Sequence, residues 1–124
     1  MPIGRKKILI VDDEEGVREL LSESLSGQGY EILTAVDGQD ALDKAPRFSP
    51  DLILLDLGMS QMDGWGVLSR LYSDEKTRDI PVVVITGRTD TESLLKPERQ
   101  QTLDYFFKPI HLEELHEFIK AHIS

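Results

Sequence analysis

The chain has 124 residues, a length that suits one domain with a single real core. It is 40% hydrophobic and 30% charged, and it has no cysteine, which excludes disulfides and thiolate metal sites. Fourteen Lys and Arg against 23 Asp and Glu give a formal charge of -9. Such a surface repels phosphate backbones, so direct nucleic-acid binding is not expected, whereas a divalent cation or a basic partner is suited. No apolar run approaches the ~20 residues of a membrane helix. The basic start, Met1 to Lys7, leads into only Ile8-Leu9-Ile10-Val11 before Asp12, too short for a signal-peptide core, and a cytoplasmic protein is expected.

In chain order, Ile8-Leu9-Ile10-Val11 reads as a buried strand. Residues 15–28 carry Val17, Leu20, Leu21 and Leu25, the spacing of one apolar helix face, and Gly27 and Gly29 end that helix. Residues 30–36 read as a second strand. Asp37-Gly38 interrupts the chain, and Ala41, Leu42 and Ala45 mark a short helix before Pro46. Leu52-Ile53-Leu54-Leu55 is a third buried run that ends at Asp56. Asp63 is placed to cap a helix carrying Val67, Leu68 and Leu71, with Trp65 packing at its start. Residues 81–86 form a fourth strand and Tyr105-Phe106-Phe107 a fifth. A last helix presents Leu112, Leu115 and Ile119, with Glu113 and Glu114 in its first turn, where negative charge suits the helix dipole. His111, His116 and His122 share no helix face at metal-ligand spacing and read as solvated.

Apolar strands alternating with helices imply a parallel sheet covered on both faces, a doubly wound α/β sandwich. Sites in such sheets lie beyond the carboxyl ends of the strands. The residues there are Asp12-Asp13, Asp56, Thr86 and Lys108-Pro109. Taken singly, the aspartates read as helix caps or turn residues, Thr86 as an ordinary strand residue and Lys108-Pro109 as a loop. Brought to one edge, three carboxylates repel unless a cation joins them, and an all-oxygen set suits Mg²⁺. A nucleophilic carboxylate, a metal, an ammonium and a hydroxyl donor are the parts needed to transfer a phosphoryl group to a carboxylate.

Four stretches, 8–14 (ILIVDDE), 51–64 (DLILLDLGMSQMDG), 80–87 (IPVVVITG) and 105–110 (YFFKPI), stand in order over almost the whole chain. In these the sequence resembles the receiver domains of two-component response regulators, of chemotaxis-regulator type. The resemblance implies a flavodoxin-like (βα)5 three-layer sandwich with strand order 2-1-3-4-5. It implies that Asp56 is the phosphoacceptor, that Asp13 ligates Mg²⁺ directly, that Asp12 helps through water and that the Gly58 backbone carbonyl completes the protein ligands. Thr86 and Lys108 would bind phosphoryl oxygens, a cis peptide would precede Pro109, and Tyr105 would change rotamer on activation. The expected donor is a sensor histidine kinase or a histidine phosphotransfer protein. The downstream target is not named by the residues. A monomer or a phosphorylation-dependent dimer, without membrane attachment, is expected.

The sequence departs from the family in places. Ser60 stands where proline is usual, at a cost of ~0.4–1 kcal/mol through the unfolded chain. Gly58 and Arg88, each two residues beyond a site residue, occupy positions that border the site entrance in this family. A helix belongs in 88–103, but its apolar pattern is thin, Pro97 falls inside it, and Thr102-Leu103 replaces a Gly-Ala pair. A short, shifted or partly disordered helix is expected there, on the face through which family members usually transmit their signal.

The expected unit is a single receiver domain over 1–124 with no output domain, acting as a signalling switch rather than an enzyme with a separate substrate. Two alternatives stay open: a receiver cut from a larger transcriptional regulator or hybrid kinase, and an interaction module that works without phosphorylation. A haloacid-dehalogenase-like phosphatase would need a second aspartate two residues after the nucleophile, where this chain has Gly58.

Overall fold

The computed structural model describes residues 4–58, 64–87 and 104–123. The three most apolar runs form the middle of one sheet: β1 (Lys7–Val11), β3 (Leu52–Asp56) and β4 (Val82–Thr86). β2 (Glu31–Ala35) and β5 (Asp104–Phe107) are its edges. All neighbours pair in parallel, in the order β2-β1-β3-β4-β5. Four helices are described: α1 (Glu15–Gly27), α2 (Gly38–Phe48), α3 (Gly64–Ser73) and α4 (Leu112–Ile123).

Strand side chains alternate between the two faces, and the core divides accordingly. Leu9, Val11, Ile53, Leu55, Val82 and Val84 pack with Ala41 and Ala45 of α2 and Trp65, Val67, Leu68 and Leu71 of α3. Ile8, Ile10, Leu52, Leu54, Val83 and Ile85 pack with Leu21 and Leu25 of α1 and Leu115 and Ile119 of α4. The result is three layers, as expected of a doubly wound sandwich. The sandwich and strand order expected from sequence are both observed. Burial throughout holds for β3 and β4 and for β1 apart from Lys7. Among the described residues β2 and β5 each have one strand neighbour, and both remain partly exposed.

The ends of α1 and α2 follow local rules. Past α1 the chain reverses at Gly29, whose φ of +97° suits glycine, while the Gln28 and Gly29 amides bond the carbonyls of Leu25 and Ser26. Asp37 caps α2 by accepting from the Asp40 amide at 2.8 Å. Contrary to expectation, α2 does not stop before Pro46 but runs on to Phe48. Proline already has a helical φ, and so near the helix end its missing N–H removes only one bond. Ser49, in the left-handed region, then closes the helix with its amide on Ala45 O at 3.0 Å.

Two further expectations need correction. Leu20 is 51% exposed, because the stripe facing the sheet is Leu21 and Leu25 with Val17 at its border, and Leu20 lies on the rim. The histidines are not uniformly solvated. His116 Nε2 lies 2.6 Å from Ser24 Oγ, tying α4 to α1, and the His122 ring stacks on Phe118 at 4.1 Å. His111 is exposed. The expectations that concern Ser60, Asp63, Arg88, Pro97 and the 88–103 segment lie outside the described residues.

Candidate functional site

From the middle of the sheet the chain leaves β1 toward β2 on one side and β3 toward β4 on the other. The carboxyl ends of β1 and β3 therefore flank the crevice where open α/β sheets bind ligands. Asp12 follows β1 directly and Asp56 is the last residue of β3. Both are almost fully buried, at 2% and 4% exposure, while Asp13 is exposed. Ligand oxygens of Asp12, Asp13 and Asp56 lie within 4.8 Å of one another, the group among the described residues able to hold a metal ion.

The two buried carboxylates are held by short local bonds. Asp12 Oδ1 accepts from the Glu14 amide at 2.9 Å, and Asp56 Oδ1 accepts from the Gly58 amide at 2.8 Å. Lys108 comes from the far end of β5. Its amide donates to the Thr86 carbonyl at 2.9 Å, and a cis peptide joins it to Pro109. Its Nζ reaches Asp12 Oδ2 at 3.2 Å and Asp56 Oδ2 at 3.4 Å. Thr86 ends β4 and is 2% exposed. A cleft of ≈ 300 Å³ opens here, lined by Glu14, Asp56, Gly58, Gly87 and Lys108.

Charge at this site is unbalanced. Burial pushes the Asp12 carboxyl above its ordinary value, and the neighbouring Asp56 adds to the rise against the opposing pull of the Glu14 amide and Lys108. Burial works to lower the Lys108 ammonium, but Asp56 and Asp12 outweigh it and hold it above its ordinary value. Three carboxylates with one ammonium leave net negative charge at the rim of a low-dielectric core. A hard divalent cation with oxygen ligands fits that set, and Mg²⁺ needs only one or two carboxylates beside waters and phosphate oxygens.

Asp12, Asp13, Asp56, Gly58, Thr86 and Lys108 thus lie together at this edge, as expected, whereas the seventh expected residue does not. Tyr105 stands two strands away on β5. Its ring packs against the cluster of α2 and α3, 6.2 Å from Trp65 and 6.5 Å from Phe107, with its hydroxyl oxygen buried. This is an inward conformer. Sequence reasoning assigned no role to Glu14, Gly87, Arg18 or Gly64. Arg18 Nη1 donates to the Asp12 carbonyl at 2.7 Å. A Cβ on Gly64 would sit 2.6 Å from Leu57 Cα and 3.0 Å from the Asp56 carbonyl oxygen, so only glycine lets α3 start this close to β3. A glycine at the head of a helix pattern, where it costs propensity, was the one signal available.

The model of the response regulator receiver domain matches residues 8–120. The chain is 38% identical over 121 residues to a probable transcriptional regulator, ycf27, of Cyanophora paradoxa, covering 98% of this chain and 49% of that protein. The chain therefore spans about half the length of that relative. It is 34% identical to sporulation initiation phosphotransferase F of Bacillus subtilis, with 95% and 94% of the two chains covered. Among solved structures, response regulator TrrA of Thermotoga maritima in complex with Mg²⁺-BeF superimposes with a TM-score of 0.84 at 35% identity, over 95% of this chain and 99% of that one. With this fold, this match and these relatives, the chain belongs to the response regulator receiver domain family.

Proposed function

We propose that this protein accepts a phosphoryl group from a phosphohistidine onto Asp56, and that the acyl phosphate switches a protein-binding surface. The observation that carries the reading is the convergence of the Asp12, Asp13 and Asp56 oxygens with Lys108 Nζ at one strand edge. The donor is a sensor histidine kinase or a histidine phosphotransfer protein, met in the cytoplasm.

The chain's residues divide the work. The Asp56 carboxylate attacks phosphorus in line, and the P–N bond to the donor imidazole breaks as the P–O bond forms. The Gly58 amide holds one Asp56 oxygen and so limits rotation of the carboxylate. Lys108 offers an ammonium to the phosphoryl oxygens as the charge on Asp56 is spent. Mg²⁺ bound by Asp13, Asp56 and the Gly58 carbonyl, with Asp12 acting through water, would neutralise charge on the transferring group. The Thr86 hydroxyl donates to a phosphoryl oxygen once it is in place, and the Tyr105 rotamer follows the space this leaves. Gly58 presents no side chain at the entrance, which leaves the acyl phosphate open to water. The only reaction the chain catalyses on this reading is its own phosphorylation and dephosphorylation. The unit is one receiver domain over 1–124, as a monomer or as a dimer formed on phosphorylation.

The test is incubation with Mg²⁺ and a small phosphodonor, or with a phosphorylated kinase, followed by detection of an acid-stable, base-labile acyl phosphate. Asp56→Asn should abolish the label. Label kept at wild-type level by that variant would defeat the assignment. Calorimetry should show Mg²⁺ binding by the wild type, and no binding would favour an interaction module that works without phosphorylation.

A further inference from the structure

We propose that Arg18 is a positioning residue for the metal-binding pair, holding the peptide between Asp12 and Asp13 in the orientation that aims both carboxylates at one cation. This inference rests on the reading of the site given above.

The argument starts from the end of β1. The last residue paired with both neighbouring strands is Val11, opposite Ala35 and Leu55. Asp12 is one residue further on. Its amide still bonds the Ala35 carbonyl at 3.2 Å, but β1 ends at Val11 and the chain turns into α1 two residues after Asp13. The Asp12 carbonyl thus emerges where the ladder has stopped, inside a nearly buried residue, and a carbonyl without a donor there would be costly.

Arg18 supplies the donor. It sits on α1, four residues after Glu14, and its amide makes the ordinary helical bond to the Glu14 carbonyl at 3.1 Å. Its half-buried side chain turns back toward the start of the helix, the direction helical side chains favour, and Nη1 donates to the Asp12 carbonyl at 2.7 Å. Asp12 is consequently held at four points. These are its amide by Ala35, its carbonyl by Arg18, Oδ1 by the Glu14 amide and Oδ2 by Lys108.

Three of those points define Asp12 itself. The carbonyl bond does something different, because the Asp12 carbonyl and the Asp13 amide belong to one rigid peptide plane. Fixing that plane fixes the Asp13 N–Cα bond and leaves φ as the backbone torsion that still moves its Cβ, and Asp13 is the exposed member of the triad. The guanidinium charge by itself works against a cation, so weaker binding on its removal reports the lost hold on the carbonyl and not the lost charge; the cleft lining is Glu14, Asp56, Gly58, Gly87 and Lys108. Arg18 touches no reacting atom. It acts through the backbone of the ligands, as supporting partners commonly do at metal sites.

The test uses the full chain. Arg18→Met keeps the aliphatic stem that lies along the helix and removes only the donors and the charge. Arg18→Lys restores one donor and the charge, and Glu19→Ala on the exposed neighbouring position is the control. Mg²⁺ affinity is measured by calorimetry, phosphorylation by a small donor is followed across Mg²⁺ concentration, and exchange of the Glu14 amide is measured in the metal-free protein. Arg18→Met should weaken Mg²⁺ binding by about tenfold. It should shift the Mg²⁺ dependence of phosphorylation by the same factor, leave the rate at saturating Mg²⁺ near wild type and speed Glu14 exchange. Arg18→Lys should recover most of the affinity. Wild-type affinity in Arg18→Met would overturn the proposal. So would a fall in the saturated rate at unchanged affinity, or failure of Arg18→Met to fold, which would make the residue architectural. Absence of Mg²⁺ binding by the wild type would defeat the reading of the site itself, a result distinct from these.

Discussion

Gly64 offers a sharp test of how the site is built. An alanine there would place its Cβ 2.6 Å from Leu57 Cα, 2.9 Å from Leu57 Cδ2 and 3.0 Å from the Asp56 carbonyl oxygen. Carbon atoms rest at ~3.5–4.0 Å, so the start of α3 and the end of β3 must part by about 1 Å. Two of the three obstacles are backbone atoms and cannot rotate away, and Leu57 is wholly buried. Overpacking of this kind costs ~1–3 kcal/mol, and the better helix propensity of alanine returns ~1 kcal/mol. Taking the upper end for a backbone clash, Gly64→Ala should destabilise the protein by about 2 kcal/mol. With a urea slope of roughly 2 kcal/mol/M, the unfolding midpoint should fall by about 1 M. Gly66, two positions along the same helix, is exposed and has nothing within 4 Å of a built Cβ. Gly66→Ala should therefore stabilise by ~0.5–1 kcal/mol. Because the clash reaches the Asp56 carbonyl, Gly64→Ala should also slow phosphorylation in molecules that remain folded, and Gly66→Ala should not. Equal midpoints for the two variants, or a stabilised Gly64→Ala, would refute the close approach.

Three further outcomes follow from the charges and the burial. Lys108→Met leaves two nearly buried carboxylates without their ammonium, and since Lys108 is 23% exposed the loss should be screened to about 1–3 kcal/mol, with saturating Mg²⁺ restoring part of it in urea titrations. Asp12 is held above its ordinary value, so the fold favours its neutral form. Its stabilising contribution is full below the unfolded value of 3.8 and is lost as pH rises through the raised folded value. Asp12→Asn in the metal-free protein should thus gain stability relative to wild type at pH 7 but not at pH 3, and an equal difference at both would contradict this. Tyr72 is pushed up by burial from 10.0 to about 12, so an absorbance titration at alkaline pH should show a late phenol transition. Tyr72→Phe should remove that transition, and wild-type stability should decline between those two values as the phenol ionises in the unfolded chain first.

Much of this protein could be read from its residues. The runs 8–11, 52–55 and 82–85 contain almost nothing polar, and such runs are stable only inside a sheet covered on both faces. Asp12, Asp56, Thr86 and Lys108 fall at the ends of those strands or their neighbour, so parallel pairing alone brings them to one edge. That three carboxylates share one edge follows from order along the chain. Local rules were less reliable where tertiary contacts compete with them. Leu20 fits a helical stripe yet faces solvent, α2 runs on through Pro46, and His116 bonds Ser24 of another helix. Only the folded chain decided the finer support of the site. The reach of Lys108 Nζ to two carboxylates, the hold of Arg18 on the Asp12 carbonyl and the approach of Gly64 to Leu57 join residues whose spacing carries no periodic signal. Periodicity reports which face of an element is buried, whereas these contacts depend on distances between elements, which the packing of the whole sandwich sets.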